Sequence, residues 1–93
     1  MNKFELGQVM MTAEITNEFK ENKEFRKELQ ECLGKYAKCD WGDTCKHDSK
    51  LNDEAVKSNN DRIVAKYITS KGEIFIITEY NRSCTTIMFT YEY

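Results

Sequence analysis

Ninety-three residues make one domain, near the lower end of what a single hydrophobic core supports. With 14 basic and 16 acidic side chains the formal charge is −2, too small to announce a nucleic-acid binder and too small to make the whole chain a mimic of DNA. Hydrophobic content of 40% is ordinary for a folded chain, and with no proline there is no proline-rich linker or recognition arm.

The opening Met1-Asn2-Lys3-Phe4-Glu5-Leu6-Gly7 lacks the apolar run of a signal peptide, and no apolar stretch approaches membrane-spanning length. A soluble protein of the cell interior is expected, in which four cysteines read as free thiols or metal ligands rather than disulfides. Phe4, Leu6, Val9, Met10 and Met11 do not settle into one period, so 4–12 reads as a short strand or an extended arm. A first helical piece is predicted over 13–20, with Ile15 and Phe19 on one face. A stronger helix comes after it: Phe25, Leu29, Cys32, Leu33 and Tyr36 form one apolar stripe, Asn22 is its N-cap, and it ends by about Lys38.

Beyond a central loop, Asp48 or Ser49 caps a predicted helix over 50–58, whose thin apolar face is Leu51, Ala55 and Val56 and which Asn59 and Asn60 stop. The remainder reads as strands over 62–69, 73–80 and 84–91, joined by turns at Ser70-Lys71-Gly72 and Asn81-Arg82-Ser83. Ile74-Phe75-Ile76-Ile77 is apolar on both faces, which calls for helices on one side and a second cover on the other: the N-terminal arm, Trp41 or a partner protein. The expected class is α+β, with two to three helices packed on a three-stranded antiparallel sheet to which an extra N-terminal strand can be added.

The chemistry-bearing residue types concentrate at Cys39-Asp40-Trp41-Gly42-Asp43, then Cys45, His47 and Asp48. Cys39, Cys45 and His47 lie on expected loop, which suits convergence on a structural zinc ion, with Cys84 or Asp48 as fourth ligand. Cys32 is excluded from that set, because seven helical residues hold it about 10 Å from Cys39. The Cys-x5-Cys and Cys-x-His spacings match no standard finger, and the plain alternative is two exposed thiols beside a lone histidine. Asp40, Asp43, Asp48, Asp53 and Glu54 lack the oxygen spacing of a calcium loop and read more economically as caps and a solvated face. A small metal-dependent hydrolase would need such carboxylates on rigid elements. Cys45 with His47 is a weak nucleophile–base pair, since residues i and i+2 of an extended loop do not face each other and nothing orients the histidine. Asp-Trp-Gly-Asp has a structural reading too: Gly42 permits a positive φ, Trp41 plugs the core and the aspartates bond backbone amides. Arg82 and Glu79 flank Tyr80, and with Trp41 and Tyr91-Glu92-Tyr93 they suggest an aromatic and charged contact patch.

Several segments together resemble a family of small bacterial proteins carried on plasmids, integrative elements and prophages, chiefly of Firmicutes, often labelled plasmid-related or type I restriction subunits. They are Lys3-Phe4-Glu5-Leu6-Gly7-Gln8-Val9 with Met11-Thr12, Asp40-Trp41-Gly42-Asp43, Asn52-Asp53-Glu54-Ala55 with Arg62, Ile76-Ile77-Thr78-Glu79, Arg82-Ser83, Thr85-Thr86, and Phe89 before Glu92-Tyr93. The chain departs from the family pattern at Cys84 and in carrying both Cys45 and His47. The family has no settled activity, but its mobile-element context implies a non-enzymatic inhibitor of a CRISPR or restriction nuclease complex in the bacterial cytoplasm. Such an inhibitor would bind the protein target rather than nucleic acid or membrane, through Asp40, Trp41, Asp43, Asp48, Asp53, Glu54 and Arg82. An accessory binding module of the element is the competing implication.

Overall fold

A computed structural model of the chain describes residues 2–93, so Met1, at the head of the opening stretch, lies outside it. Strand β1 (Gln8–Met11) leads into helices α1 (Ala13–Glu21), α2 (Lys23–Ala37) and α3 (Lys46–Ser58). Strands β2 (Ile63–Thr69), β3 (Gly72–Thr78) and β4 (Cys84–Phe89) come next, and a 3-10 turn (Thr90–Glu92) ends the chain. The class is α+β as expected, but the sheet has four strands in the order β1-β4-β3-β2, and β1 runs parallel to β4. The strands β2, β3 and β4 form the expected antiparallel meander. The unsettled arm thus becomes a parallel edge strand. Its register, Gln8 beside Cys84 through Met11 beside Ile87, joins the two ends of the chain. Gly7 makes the approach possible: at φ +64 its Cα meets the backbone of Arg82 and Ser83 so closely that a Cβ would sit 2.4 Å from both carbonyl oxygens.

The helix boundaries are set by their caps. Thr12 opens α1 by accepting from the Ile15 amide, and Asn22 both ends α1 and opens α2, accepting from the Phe25 amide at 3.0 Å. Asn59 closes α3 in the left-handed conformation, φ 58. The start of α3 differs from expectation. It begins at Lys46 after Cys45, whose side chain makes no capping bond, so His47 and Asp48 lie in its first turn rather than on loop. Its buried face also differs: Leu51 is exposed, while Asn52 is buried beside Ala55.

The helices cover one face of the sheet. Ile15, Phe25, Leu29 and Tyr36 pack on Ile63, Ala65, Tyr67, Ile74, Ile76, Ile87 and Phe89. Burying side chains of this size contributes about 1.5–3 kcal/mol each. A chain of hydroxyls crosses this core: Tyr36 to Thr78 at 2.7 Å, Thr78 to Thr85 at 2.7 Å, and Thr85 donating to the Leu6 carbonyl at 2.6 Å. It leaves these buried oxygens satisfied and ties α2, the meander and the N-terminal segment together. On the opposite face neither the N-terminal arm, which joins as a strand, nor Trp41, which packs with Phe4 and Tyr36, supplies the expected second cover, yet Ile77 is only 3% exposed there. Tyr93 stands edge-on against Phe75, ring centroids 5.5 Å apart, with the Arg62 guanidinium against Tyr93.

Candidate functional site

The segment between α2 and α3 is shaped first by how α2 ends. The Asp40 amide reaches back to the Lys35 carbonyl and the Cys39 amide to that of Tyr36, with Cys39 left-handed at φ 66. This is a Schellman ending with cysteine in the place usually held by glycine. The turn sends Trp41 inward, between Phe4 and Tyr36, with an edge-on contact to Tyr36 at 5.5 Å. Trp41 is only 6% exposed, and its indole N–H donates to Asp53 Oδ1 at 2.9 Å. Gly42 then pairs with Lys66 of β2 at φ +60. A Cβ there would lie 2.3 Å from the Tyr67 ring, so no other residue fits without displacing it.

From Gly42 onward, side chains of the loop and of α3 seal the outer edge of β2. Asn52 of α3 donates to the Val64 carbonyl at 2.9 Å and accepts from the Val64 amide at 3.2 Å. The Lys66 amide donates to Thr44 Oγ1 at 2.8 Å, and its carbonyl accepts from the Asp43 amide at 2.9 Å. The Ile68 amide donates to Asp43 Oδ2 at 2.9 Å. Tyr67 donates to the Asp40 carbonyl at 2.7 Å, and Asp40 Oδ1 accepts from the Gly42 amide. Strand edges left open pair with other chains. Here Asp43, Thr44 and Asn52 occupy the positions a fifth strand would take.

Of the residues expected to bind a partner, Asp40, Asp43, Asp48, Asp53 and Glu54 are all exposed. Three of them bond within the fold, to Gly42, Ile68 and Trp41, whereas Asp48 and Glu54 have no side-chain hydrogen bond among the described residues. Two expectations are corrected. Trp41 is core, and so is Arg82, 6% exposed. The Arg82 guanidinium donates to the carbonyls of Asp61, Glu79, Tyr80 and Ala55, so it closes the β3–β4 turn onto the C-terminal end of α3. That is where a helix dipole favours a cation. The expected aromatic patch therefore dissolves, although Tyr80, Tyr91 and Tyr93 are exposed individually.

The expected zinc ligands are not drawn together. Among the described residues no three His, Cys, Asp or Glu side chains are grouped to hold a metal ion. Cys84 lies on β4, two strands or about 10 Å across the sheet from β2, beside which Cys45 and His47 begin α3. Cys39 packs against the core, and desolvation followed by the nearby Asp53 charge pushes its thiol up, which keeps it protonated at neutral pH. Cys32 on α2 is pushed up to about 11, chiefly by burial. Neither thiol has the depressed pKa of a nucleophile. Sequence reasoning missed Thr44, Asn52 and Tyr67. The available sign was polar Asn52, three and four residues before Ala55 and Val56 and so on the same helix face. Comparison with known proteins finds no family model, curated protein or solved structure that matches the chain.

Proposed function

We propose that the chain is a mobile-element-encoded protein inhibitor of a host-defence nuclease complex, of the anti-CRISPR or anti-restriction type, acting by protein–protein binding that blocks nucleic-acid access. The observation that supports it is the acidic segment itself. Five carboxylates, Asp40, Asp43, Asp48, Asp53 and Glu54, face solvent on a loop and helix that hydrogen bonds fasten to β2. A pre-organised anionic surface suits a basic nucleic-acid groove on a target, because little ordering entropy is lost on docking. Lys46, Lys50 and Lys57 interrupt the acidic run, which favours recognition by charge pattern over a uniform mimic of a phosphate backbone.

Asp48 and Glu54 separate recognition from folding. The experiment is capture of CRISPR and restriction complexes on the immobilised protein, with nuclease assays alongside. The expected outcome is stoichiometric capture and inhibition of one complex. It should weaken at least tenfold in Asp48→Lys/Glu54→Lys with the fold retained and only a small fall in melting temperature, since Asp48 sits in the first turn of α3 where a cation opposes the helix dipole. It should also weaken with salt as surface charge is screened. Failure to bind any such complex, or turnover of a nucleic-acid or ester substrate by the protein alone, refutes the reading.

A further inference from the structure

The open edge of the sheet has the opposite character to the sealed one. The Gln8 amide donates to the Ser83 carbonyl and the Thr12 amide to that of Ile87, both across to β4. By strand alternation the amides and carbonyls of Val9 and Met11 point the other way. Among the described residues they have no hydrogen-bond partner. The side chains there are apolar and open: Val9 is 43%, Met10 40% and Met11 36% exposed. Val9 and Met11 border an apolar groove of about 220 Å³ that runs under α2, completed by Phe19, Leu29, Leu33 and Ile87. Within β1 no charge, proline or bulge blunts this edge, and the four-residue length of the strand is the one protective device it carries.

The geometry points to β1 as a self-association edge, on which β1 of a second copy of this chain pairs antiparallel across a twofold axis at Met10. Three features select a second copy. The register is self-consistent: Val9 and Met11, the residues whose backbone groups face outward, fall opposite Met11 and Val9 of the other copy, and exchange both hydrogen bonds at each pair. The side chains match, with valine against methionine on the groove side, methionine against methionine on the other, and no like charges opposed. The third feature is closure. Because Asn52, Thr44 and Asp43 seal β2, a β1 edge cannot add to a β2 edge and propagate a fibre. The remaining arrangement is isologous: one continuous sheet of two copies, with a sealed β2 at either end.

The test is sedimentation equilibrium of the purified full chain over a concentration series. Wild type should move from 11.0 kDa toward twice that mass as concentration rises. Val9→Pro removes an outward amide without touching the bonds to β4, and Met11→Lys sets like charges near the axis. Each should leave the protein monomeric with its circular dichroism retained and its melting temperature that of the dilute wild-type monomer. Met10→Cys in a Cys45→Ser background should form a disulfide-linked dimer on mild oxidation, since the two Cα atoms opposite each other would lie within disulfide range. A monomer at every soluble concentration overturns the inference. So does a dimer that survives both Val9→Pro and Met11→Lys and is not cross-linked through Met10→Cys, and so does a wild-type monomer whose β1 edge is covered by a strand of another protein. None of these outcomes touches the carboxylate reading, which rests on α3 and the loop before it.

Discussion

The two edges of the sheet answer the same physical problem in opposite ways. A strand at the margin exposes every second amide and carbonyl, each capable of pairing with a stray chain. At β2 those groups are met by Asn52, Thr44 and Asp43, held in place by a loop whose anchor is Trp41. At β1, Val9, Met10 and Met11 present apolar side chains, and the outer backbone groups of the strand stand unmet among the described residues. The contrast assigns the Asp-Trp-Gly-Asp stretch a folding task before any recognition task. The motif sends a tryptophan into the core, uses the first aspartate and the glycine to turn the chain, and sets the second aspartate on the Ile68 amide.

The largest effect should come from removing the anchor. Trp41→Ala empties a core site between Phe4 and Tyr36 and leaves Asp53 without its indole partner. The expected loss is about 3–5 kcal/mol, the usual range for deleting a buried large aromatic side chain. In a domain this small that abolishes most of the stability, and urea titration followed by tyrosine fluorescence will read it. Asn52→Ala comes next. It removes both bonds to Val64 from a residue only 4% exposed, and should cost about 1–3 kcal/mol. It also opens the β2 edge. The variant should therefore form assemblies larger than a dimer as concentration rises, measurable by light scattering, and adding Val9→Pro should suppress them. Retention of the wild-type assembly state in Asn52→Ala would show that the seal does not govern association. Asp53→Ala is milder, about 0.5–1.5 kcal/mol, because the Trp41 indole loses one hydrogen bond at a partly buried site. Asp53→Asn, which keeps an acceptor oxygen, should recover most of that loss.

Much of the frame was legible because it is local. The stripe Phe25–Tyr36, the Asn22 cap and the two meander turns are written in neighbouring residues, and the structure matches them closely. The parallel β1 was not, because its partner lies at the other end of the chain and a four-residue run carries no period. Arg82 was misread for a different reason. An arginine in a turn is ordinarily solvated, and only the arrival of the α3 C-terminus and the left-handed turn at φ 60 create four carbonyl acceptors around it. The start of α3 was misplaced because Asp48 and Ser49 resemble caps, while Cys45 fills that position without a capping bond. At the loop, residue types suggested reactivity, but reactivity depends on juxtaposition, and juxtaposition was set by the seal on β2.

The smallest effect separates the thiols beneath the loop from the one at its rim. Burial raises Cys32 to about 11 from an ordinary 9.0. In the unfolded chain the same thiol ionises near its ordinary value. Between those two pH values the unfolded state binds fewer protons than the folded one, so stability falls as pH rises through this window and is fully present below it. Cys39, also raised, acts in the same direction, and the buried hydroxyls of Tyr36 and Tyr67, both raised by desolvation, extend the decline at higher pH. The urea midpoint should be flat from pH 7 to about 8.5 and then decline. Cys32→Ala should shallow the first part of that decline. Alkylation in native buffer gives the same ordering without unfolding. Cys45 should label first and Cys32 last, and if Cys32 labelled as fast as Cys45 at pH 8 the packing of α2 against the core would have to be redrawn.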